Sequence, residues 1–394
     1  MSTDIFISGG GVAGLTAACL FGSQGYNVTC VDPAPPVTQR DADGADLRST
    51  AFLQPAIPVL EMAGVWHQLA PHAMPLQTMR IVDAGGEAAT PRATRDFDAA
   101  DISELPFGWN LPNWLIRREL VARLAELPNV EFLHGVACTK IFTRSASAKL
   151  WLSNGTTQDA QLVIAADGRN SLIRENMGIE VKTKRYGQKA LAFAVTHPVP
   201  HNNVSTEIHR TGGPFTLVPL PDYNGSPSSA VVWMETGPEA ARLHALPEDA
   251  FNAEMSERSC HLFGPLTLAS KRSIWPIIAQ VANRFSAERV ALIAEAAHVA
   301  PPIGAQGLNM SLTDLSELLD LSHLHTLGSK DMLDAYDKKR HLAVKLRVAG
   351  IDLLNRASMS QTEWIRDLRS AGIGAIHDTA SIRKSLMRLG LGAR

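Results

Sequence analysis

The first 32 residues constrain the fold more than any other part of the chain. An apolar run over residues 5–8 leads into Gly9-Gly10-Gly11-Val12-Ala13-Gly14, and a helical pattern over 14–24 follows. A G-x-G-x-x-G motif between a strand and a helix lets backbone N–H groups approach a pyrophosphate at the positive end of the helix. Asp32 ends a second predicted strand, 27–31, where its carboxylate can accept from a ribose. A plain Gly-rich turn is the alternative, but the combination favours a dinucleotide site and leaves FAD and NAD both open.

Composition bounds the class of protein. The chain has 394 residues, enough for two or three domains at roughly 150 residues each. Its 45% of hydrophobic and 19% of charged residues exclude a disordered chain. A net charge of −2 provides no global basic surface for nucleic acid. The four cysteines (Cys19, Cys30, Cys138 and Cys260) are widely spaced, which argues against disulfides and structural zinc, and we predict no metal site.

The sequence shows no pattern of a targeting or membrane-spanning segment. The N-terminus lacks the basic and long apolar regions of a signal peptide, and no run of 18 apolar residues occurs. We therefore expect a cytoplasmic protein in a reducing environment.

Hydrophobic patterns divide the chain into an α/β part and a β-rich part. Helices are predicted over 50–64 and 114–127, and a buried strand over 161–166 precedes a helix from Ser171. Short β-prone runs between about 185 and 275 are separated by turn clusters, which predicts an inserted antiparallel sheet. A further buried strand is expected over 289–294, a helix from about Asn309, and mostly helix from 331 onwards.

Three further motifs could contact a ligand. Asp46-Leu47-Arg48-Ser49-Thr50-Ala51, at the start of the helix predicted over 50–64, could place a guanidinium on a phosphate; on the residues alone a solvated Asp/Arg pair is favoured. Asp167-Gly168 follows a buried strand, at the edge where α/β sheets bind ligands, but could equally be an ordinary turn. Ala294-Glu295-Ala296-Ala297-His298 and the loop from Pro301 to Asn309 lead into a helix capped by Asn309, whose dipole would stabilise negative charge. His298 could be a base, although a packed histidine is favoured.

The C-terminal region is basic. Residues 338–394 contain 12 Lys and Arg against four Asp and Glu. Within 379–390, Ile382, Leu386 and Leu389 follow helical spacing beside Arg383, Lys384 and Arg388, which is typical of a basic amphipathic helix. Such a helix can dock on an anionic membrane or a partner complex, or pack on the acidic remainder of the chain.

The set and order of these motifs resemble the flavoprotein aromatic hydroxylases of the p-hydroxybenzoate hydroxylase type. Within that class, Tyr186-Gly187-Gln188-Lys189-Ala190, the stretch from Gly213-Pro214 to Pro219-Leu220, and the ending Met387-Arg388-Leu389-Gly390-Leu391-Gly392 look like the ring hydroxylases of ubiquinone biosynthesis. The resemblance covers essentially the whole chain. It implies an α/β fold with a Rossmann-like FAD-binding domain in three segments (1–75, 100–184 and 276–330), an inserted, mainly antiparallel substrate domain (76–99 and 185–275), and a helical C-terminal region (331–394).

The resemblance also implies which residues bind the cofactor. The D-x-R-x-x-A motif of the family matches Asp46, Arg48 and Ala51, and its R-x-x-L motif matches Arg117 to Leu120, with Arg118 as an alternative register. Asp167 and Gly168 are associated with both FAD and NAD(P)H. The full set of predicted FAD-binding residues is Gly9, Gly11, Val12, Ala13, Gly14, Asp32, Arg48, Arg117, Val136, Asp167, Gly168, Glu295, Pro302, Gly304, Gln306, Gly307 and Asn309. No catalytic acid or base is assigned.

One position departs from the family pattern. The usual Gly-Asp-Ala-Ala-His is Ala294-Glu295-Ala296-Ala297-His298 here, so the carboxylate expected at the FAD ribitol is one methylene longer. Ala294 also adds a Cβ where the backbone normally approaches closely.

The implied reaction is hydroxylation of the aromatic ring of a polyprenylated ubiquinone precursor. NAD(P)H is expected as a transient electron donor to FAD and O2 as the oxygen source, with the basic C-terminal region peripheral on the inner face of the membrane. Region 204–235 contributes Phe215, Leu217, Val218 and Trp233, which favours an apolar substrate pocket. A hydroxylase of a small soluble aromatic compound and a non-catalytic flavoprotein subunit of a biosynthetic complex are the alternatives.

Overall fold

The computed structural model describes residues 3–85, 89–359, 372 and 374–391. Its strands are β1 Thr3–Ser8, β2 Val28–Asp32, β3 Ser49–Leu53, β4 Met74–Pro75, β5 Thr78–Asp83, β6 Ala93–Asp98, β7 Gly108–Pro112, β8 Val130–His134, β9 Cys138–Thr143, β10 Ala148–Leu152, β11 Thr157–Ala165, β12 Val181–Thr196, β13 Val204–His209, β14 Pro214–Tyr223, β15 Ser226–Thr236, β16 Thr267–Leu268, β17 Ser273–Ala282, β18 Ser286–Ala287, β19 Val290–Leu292 and β20 His298–Val299. Its helices are α1 Val12–Ser23, α2 Ile57–Met62, α3 Trp66–Leu69, α4 Asn113–Ala125, α5 Leu172–Asn176, α6 Gly237–Ala245, α7 Glu248–Arg258, α8 Ala294–Ala297, α9 Gln306–Leu324, α10 Lys330–Met359 and α11 Ala380–Leu391.

The first sheet has eight strands around a parallel centre. Its order is β18-β19-β11-β1-β2-β8, and β10 and β9 extend from β11. β1 pairs in parallel with β2 and β11, while β8 and β19 continue the parallel pairing on either side. Apolar runs such as Ile5-Phe6-Ile7 are fully buried because helices cover both faces of such a sheet. The carboxyl ends of β1, β2 and β11 therefore meet at one edge.

The second sheet has nine strands and is mainly antiparallel. Its order is β20-β17-β12-β15-β14-β13-β5-β6, with β16 beside β12. Alternation along β12 sends Leu191 and Phe193 to a cluster with Phe251 and Met255 of α7, and sends Ala190 to the opposite face. That opposite face contacts Ile303 and Ile351 and so faces the rest of the protein. A small third sheet, β3-β7-β4, has its longest pairing between β3 and β7.

The predicted α/β class, with an antiparallel sheet and a helical C-terminal region, is confirmed. The domain boundaries given above stay a prediction. None of the helices in the described part of the chain is long and apolar enough to cross a membrane.

Two local predictions are wrong. Residues 50–64 do not form one helix, because Ser49–Leu53 pairs antiparallel with β7 and only Ile57–Met62 is α-helical. Long-range strand pairing overrides the local helical pattern here. The helix expected from Asn309 starts at Gln306, with Ala305 in the capping position.

A third prediction, on the apolar pocket, needs correction. Phe215, Leu217 and Trp233 pack in the cluster beneath α6 and α7, on the face turned away from the 300–303 loop. Period-two alternation puts these large side chains on one face and sends Val232 and Met234 to the other.

Candidate cofactor and active site

The glycine motif forms a tight turn between β1 and α1. Gly9 has φ of +110°, and a Cβ added there would lie 2.3 Å from the carbonyl oxygen of Ala166. A Cβ at Gly14 would lie 1.8 Å from the oxygen of Gly9, whereas one at Gly11 meets nothing within 4 Å. No side chain caps the N-terminus of α1. The turn thus requires Gly9 and Gly14 for packing and leaves open space at Gly11, where a pyrophosphate fits.

Asp32 is fixed next to this turn. Its Oδ2 accepts from the Gly10 amide at 2.6 Å and its Oδ1 accepts from the Ala34 amide at 2.8 Å. The Val136 amide donates to the Asp32 carbonyl at 3.0 Å, which brings Val136 to the same edge. Backbone donors therefore hold the carboxylate in place, with lone pairs left for a ribose.

Asp167 and Gly168 lie directly after β11, beside the glycine turn. Asp167 Oδ2 accepts from the Ile173 amide at 3.2 Å, while its buried Oδ1 accepts from no residue in the described part of the chain. Burial raises the pKa of this carboxyl, and hydrogen bonds from Ser171 and nearby amides oppose the shift. Gly168 has φ of +82°. A buried acceptor without a protein donor is what a bound polar ligand would satisfy.

Arg117 and Arg118, the two possible registers of the R-x-x-L motif, differ in their contacts. Arg118 forms an ion pair with Glu119 and lies over the Trp114 ring. The Nε of Arg117 is buried and donates to none of the described residues. Of the two registers left open by the sequence, the structure thus turns Arg117 inward.

Arg48 and Asp46 lie in the loop before β3, not at a helix start. Asp46 accepts from Arg48 Nε at 2.8 Å, from Arg48 Nη2 at 2.7 Å, and from Asn113 Nδ2 at 3.0 Å. The hydrogen bond to Asp46 raises the pKa of Arg48, and the negative charge of nearby Glu295 adds to the effect. The guanidinium also lies 5.5 Å from the centroid of Trp275. The Asp/Arg pair is therefore held by Asn113 and lies against Trp275, with the Glu295 charge acting on it.

The segment carrying Glu295 departs from ordinary backbone geometry. Ala294 has φ of +51° and Ala305 has φ of +56°, a left-handed region that favours glycine. Glu295, in the single turn of α8, is exposed. His298 follows as a buried side chain whose Nε2 lies 2.7 Å from Asp314 Oδ2. His298 thus anchors the segment to α9, which agrees with a packed histidine.

The loop from Pro302 to Gly307 joins this segment to α9. Asn309 lies in the first turn of α9 and does not cap it. Its Oδ1 accepts from the Leu53 amide at 2.9 Å, and its Nδ2 donates to the carbonyls of Ala51 at 2.8 Å and Ala305 at 2.6 Å. The prediction of an Asn309 cap is wrong because this amide joins β3 to α9.

Gln306 connects three parts of the chain. Its Nε2 donates to the Gly304 carbonyl at 2.8 Å and to the Gly390 carbonyl of α11 at 3.0 Å, and its Oε1 accepts from Arg347 of α10. An arginine has only donors, so it fixes the orientation of the amide. The loop is consequently held by both C-terminal helices.

Sequence reasoning missed several residues that support the site: Asn113, Trp275, Asp314, Arg340 and Arg347. Asp314 gave a usable signal, since a carboxylate within the apolar pattern of α9 requires a buried partner. Arg347 gave no such signal in the sequence, because its contact with Gln306 depends on tertiary packing. The described residues contain no group of three or more metal-ligating side chains.

Comparison with known proteins agrees with these features. A family model described as FAD binding domain matches residues 2–350. A ubiquinone hydroxylase of Rhodospirillum rubrum is 31% identical over 99% of this chain and 89% of its own length. The 3-demethoxyubiquinol 3-hydroxylase of Escherichia coli is 24% identical over 99% and 98% of the two chains. The crystal structure of p-nitrophenol 4-monooxygenase from Pseudomonas putida shares the fold, with a TM-score of 0.80, 18% identity and full coverage of both chains.

Proposed function

This chain belongs to the FAD binding domain family and is an FAD-dependent aromatic-ring monooxygenase, and we propose that its substrate is a polyprenylated ubiquinone precursor. The R. rubrum and E. coli relatives are both named as hydroxylases of ubiquinone or a ubiquinol. The coverage of nearly the whole chain in each case supports the same reaction class here.

One observation carries the cofactor assignment. The Gly11 turn, the Asp32 carboxylate and the unpartnered Asp167 oxygen follow three adjacent parallel strands, so they meet at one edge of the first sheet. We propose that Gly11, Val12 and Ala13 hold the pyrophosphate of FAD, and that Asp32 holds the ribose. On the same basis Arg48, Glu295 and the 302–307 loop would surround the remainder of the cofactor.

FAD bound at this site would supply the redox chemistry between NAD(P)H and O2. The protein's part is binding and orientation. The positive N-terminal end of α9 lies within the 302–307 loop, which favours negative charge there. Asn309 and Gln306 hold that loop against β3, α10 and α11.

The face of the second sheet that contacts this loop is the proposed substrate side. Ala190, Met234 and Ile277 are buried there against Ile303, with Val232 and Trp275 at the margin. These side chains offer no charge to a ligand, which suits an apolar ring and excludes water from the reaction. This apolar lining favours the prenylated substrate over an anionic small aromatic.

The C-terminal helix α11 supports a proposal on where in the cell the protein acts. Ile382, Leu386 and Leu389 of α11 are exposed, while its Met387 and Leu391 are buried. Arg383 donates to Asp101 at 3.0 Å, so one basic residue does pack on the body, whereas Arg388 is exposed. We propose that this exposed apolar and basic face docks on an anionic membrane surface or a membrane-bound biosynthetic complex, where a polyprenylated substrate resides.

Deletion of the gene tests the substrate assignment. Accumulation of a ubiquinone intermediate that lacks one ring hydroxyl supports it, whereas unchanged ubiquinone synthesis contradicts it. Oxidation of NAD(P)H by the purified FAD-loaded protein distinguishes an enzyme from a non-catalytic flavoprotein subunit.

A further inference from the structure

The 302–307 loop contains two consecutive residues with a left-handed backbone. Gly304 has φ of +63° and Ala305 has φ of +56°. This conformation is unfavourable for a residue with a Cβ, so the surrounding structure must hold it. The Gln306 side chain contributes, because its Nε2 donates to the Gly304 carbonyl at 2.8 Å. The direction of the first amides of α9 therefore depends on how the Gln306 side chain is oriented.

Arg347 of α10 sets that orientation. Its Nη1 donates to Gln306 Oε1, which leaves Nε2 of Gln306 to donate to the backbone. Ile351, one turn further along the same face of α10, is buried in one cluster with Ile303. α10 thus holds the 302–307 loop near both of its ends, through an apolar contact at Ile303 and a polar contact at Gln306.

The charge of Arg347 is not balanced by an acid in the described part of the chain. Arg347 is half-buried, and its burial together with the positive charge of Arg340 lowers its pKa. It forms no ion pair with any of the described residues. Because an arginine nevertheless stays protonated, a partly desolvated cation lies beside the positive N-terminal end of α9. Two positive groups at one loop repel each other, and a bound negative group would relieve that repulsion.

We propose that Arg347 is a positioning residue for the flavin site, which orients Gln306 and favours the negative charge that FAD gains on reduction. This inference rests on the proposed placement of the cofactor against the 302–307 loop. Transfer of a hydride from NAD(P)H leaves NAD(P)+ and adds one negative charge to the flavin ring. A fixed positive charge nearby stabilises the reduced form more than the oxidised form, and so raises the reduction potential.

Anaerobic redox titration of the full-length FAD-loaded protein tests the proposal. Arg347→Met removes the charge and keeps an unbranched side chain, so we expect the equilibrium constant for two-electron reduction to fall about tenfold, a shift of about 30 mV to lower potential. Arg347→Lys retains the charge and should stay within about threefold of the wild type. The matched control is Lys345→Met, which removes a cation from the exposed side of the same helix. Solvent screens that charge, so the potential should not change.

Arg347→Gln separates the charge from the hydrogen bond. This variant still offers an N–H to Gln306 Oε1 but carries no charge. Its potential should fall as far as that of Arg347→Met, while its far-UV spectrum remains that of the wild type. A wild-type potential in either variant, or an equal fall in Lys345→Met, overturns the proposal.

Gly307→Val tests the cofactor placement on which the inference rests. Gly307 lies in the first turn of α9, and an added Cβ meets no atom within 4 Å. A side chain there would occupy space proposed for the cofactor, so FAD affinity should fall at least about tenfold in a fluorescence titration. Normal affinity would contradict the proposed placement and the inference together. Reduced affinity, with wild-type potentials in the Arg347 variants, would overturn only the role of Arg347.

Discussion

His298 and Asp314 form a buried hydrogen bond of 2.7 Å that ties the Glu295 segment to α9. Arg340 of α10 donates to the other oxygen of Asp314, also at 2.7 Å. Asp314 and His298 are 0% and 2% exposed. Three elements around the proposed flavin site are therefore joined through one carboxylate.

Replacement of that carboxylate should be strongly destabilising. Asp314→Asn leaves Arg340 buried without its counter-charge, so we expect a loss of about 3–5 kcal/mol in the free energy of unfolding. Urea denaturation measures the loss. Asp320→Asn, at an exposed position of the same helix, is the matched control and should change stability by less than about 0.5 kcal/mol.

The same pair predicts a pH dependence. Burial alone would raise the pKa of Asp314, but His298 and Arg340 hold this pKa below its usual value. Because the pKa of Asp314 is lower in the folded than in the unfolded state, its ionised carboxylate adds stability above the unfolded pKa, near pH 4. That stability is lost as the pH falls through the folded-state pKa. Unfolding free energies from pH 6 to pH 2 should therefore fall more steeply for the wild type than for Asp314→Asn. Parallel curves would contradict this assignment.

Two glycines of the same motif should respond differently to substitution. Gly11→Val meets open space, so the apoprotein should fold with a stability change within about 1 kcal/mol, while FAD affinity falls at least tenfold. Gly14→Ala drives its Cβ into the Gly9 oxygen and should instead destabilise the fold. Fluorescence titration with FAD and urea denaturation separate the two effects. Normal FAD affinity in Gly11→Val would show that the pyrophosphate does not bind at this turn.

Glu295 is predicted to bind the cofactor in place of the family's Asp. Glu295→Ala should weaken FAD binding by about 1–3 kcal/mol, the effect of losing a charge-assisted hydrogen bond. Glu288→Ala, at another exposed glutamate before the same segment, should leave the FAD dissociation constant unchanged. Equal constants for both variants would place Glu295 away from the cofactor.

Ala294 should be a position that glycine improves. Its φ of +51° strains a residue with a Cβ, so Ala294→Gly should raise the unfolding free energy by about 0.5 kcal/mol after the added entropy of the unfolded chain. Ala122→Gly, at an exposed site within α4, should lower it by about 1 kcal/mol. Thermal or urea denaturation compares them, and a loss at both sites would mean that Ala294 is not strained.

Features that depend on residues close together in the sequence could be predicted, whereas features that depend on distant segments could not. The βαβ unit from Ile5 to Asp32 was predictable because buried strands, glycines and a carboxylate follow one another within one short segment. β3 was not, since its conformation depends on β7, nearly 60 residues later. The side-chain bridges of Asn309 to Leu53 and of Gln306 to Gly390 were equally invisible, because each joins segments that only folding brings together.

The central claim is that this chain inserts oxygen from O2 into the ring of a prenylated phenol. Incubation of the purified FAD-loaded protein with NAD(P)H, 18O2 and a short-chain prenylated phenol precursor tests it by mass spectrometry. We predict a product carrying one added hydroxyl labelled with 18O, formed in step with NAD(P)H oxidation. Oxidation of NAD(P)H without a labelled ring product, or no oxidation at all, would contradict the claim.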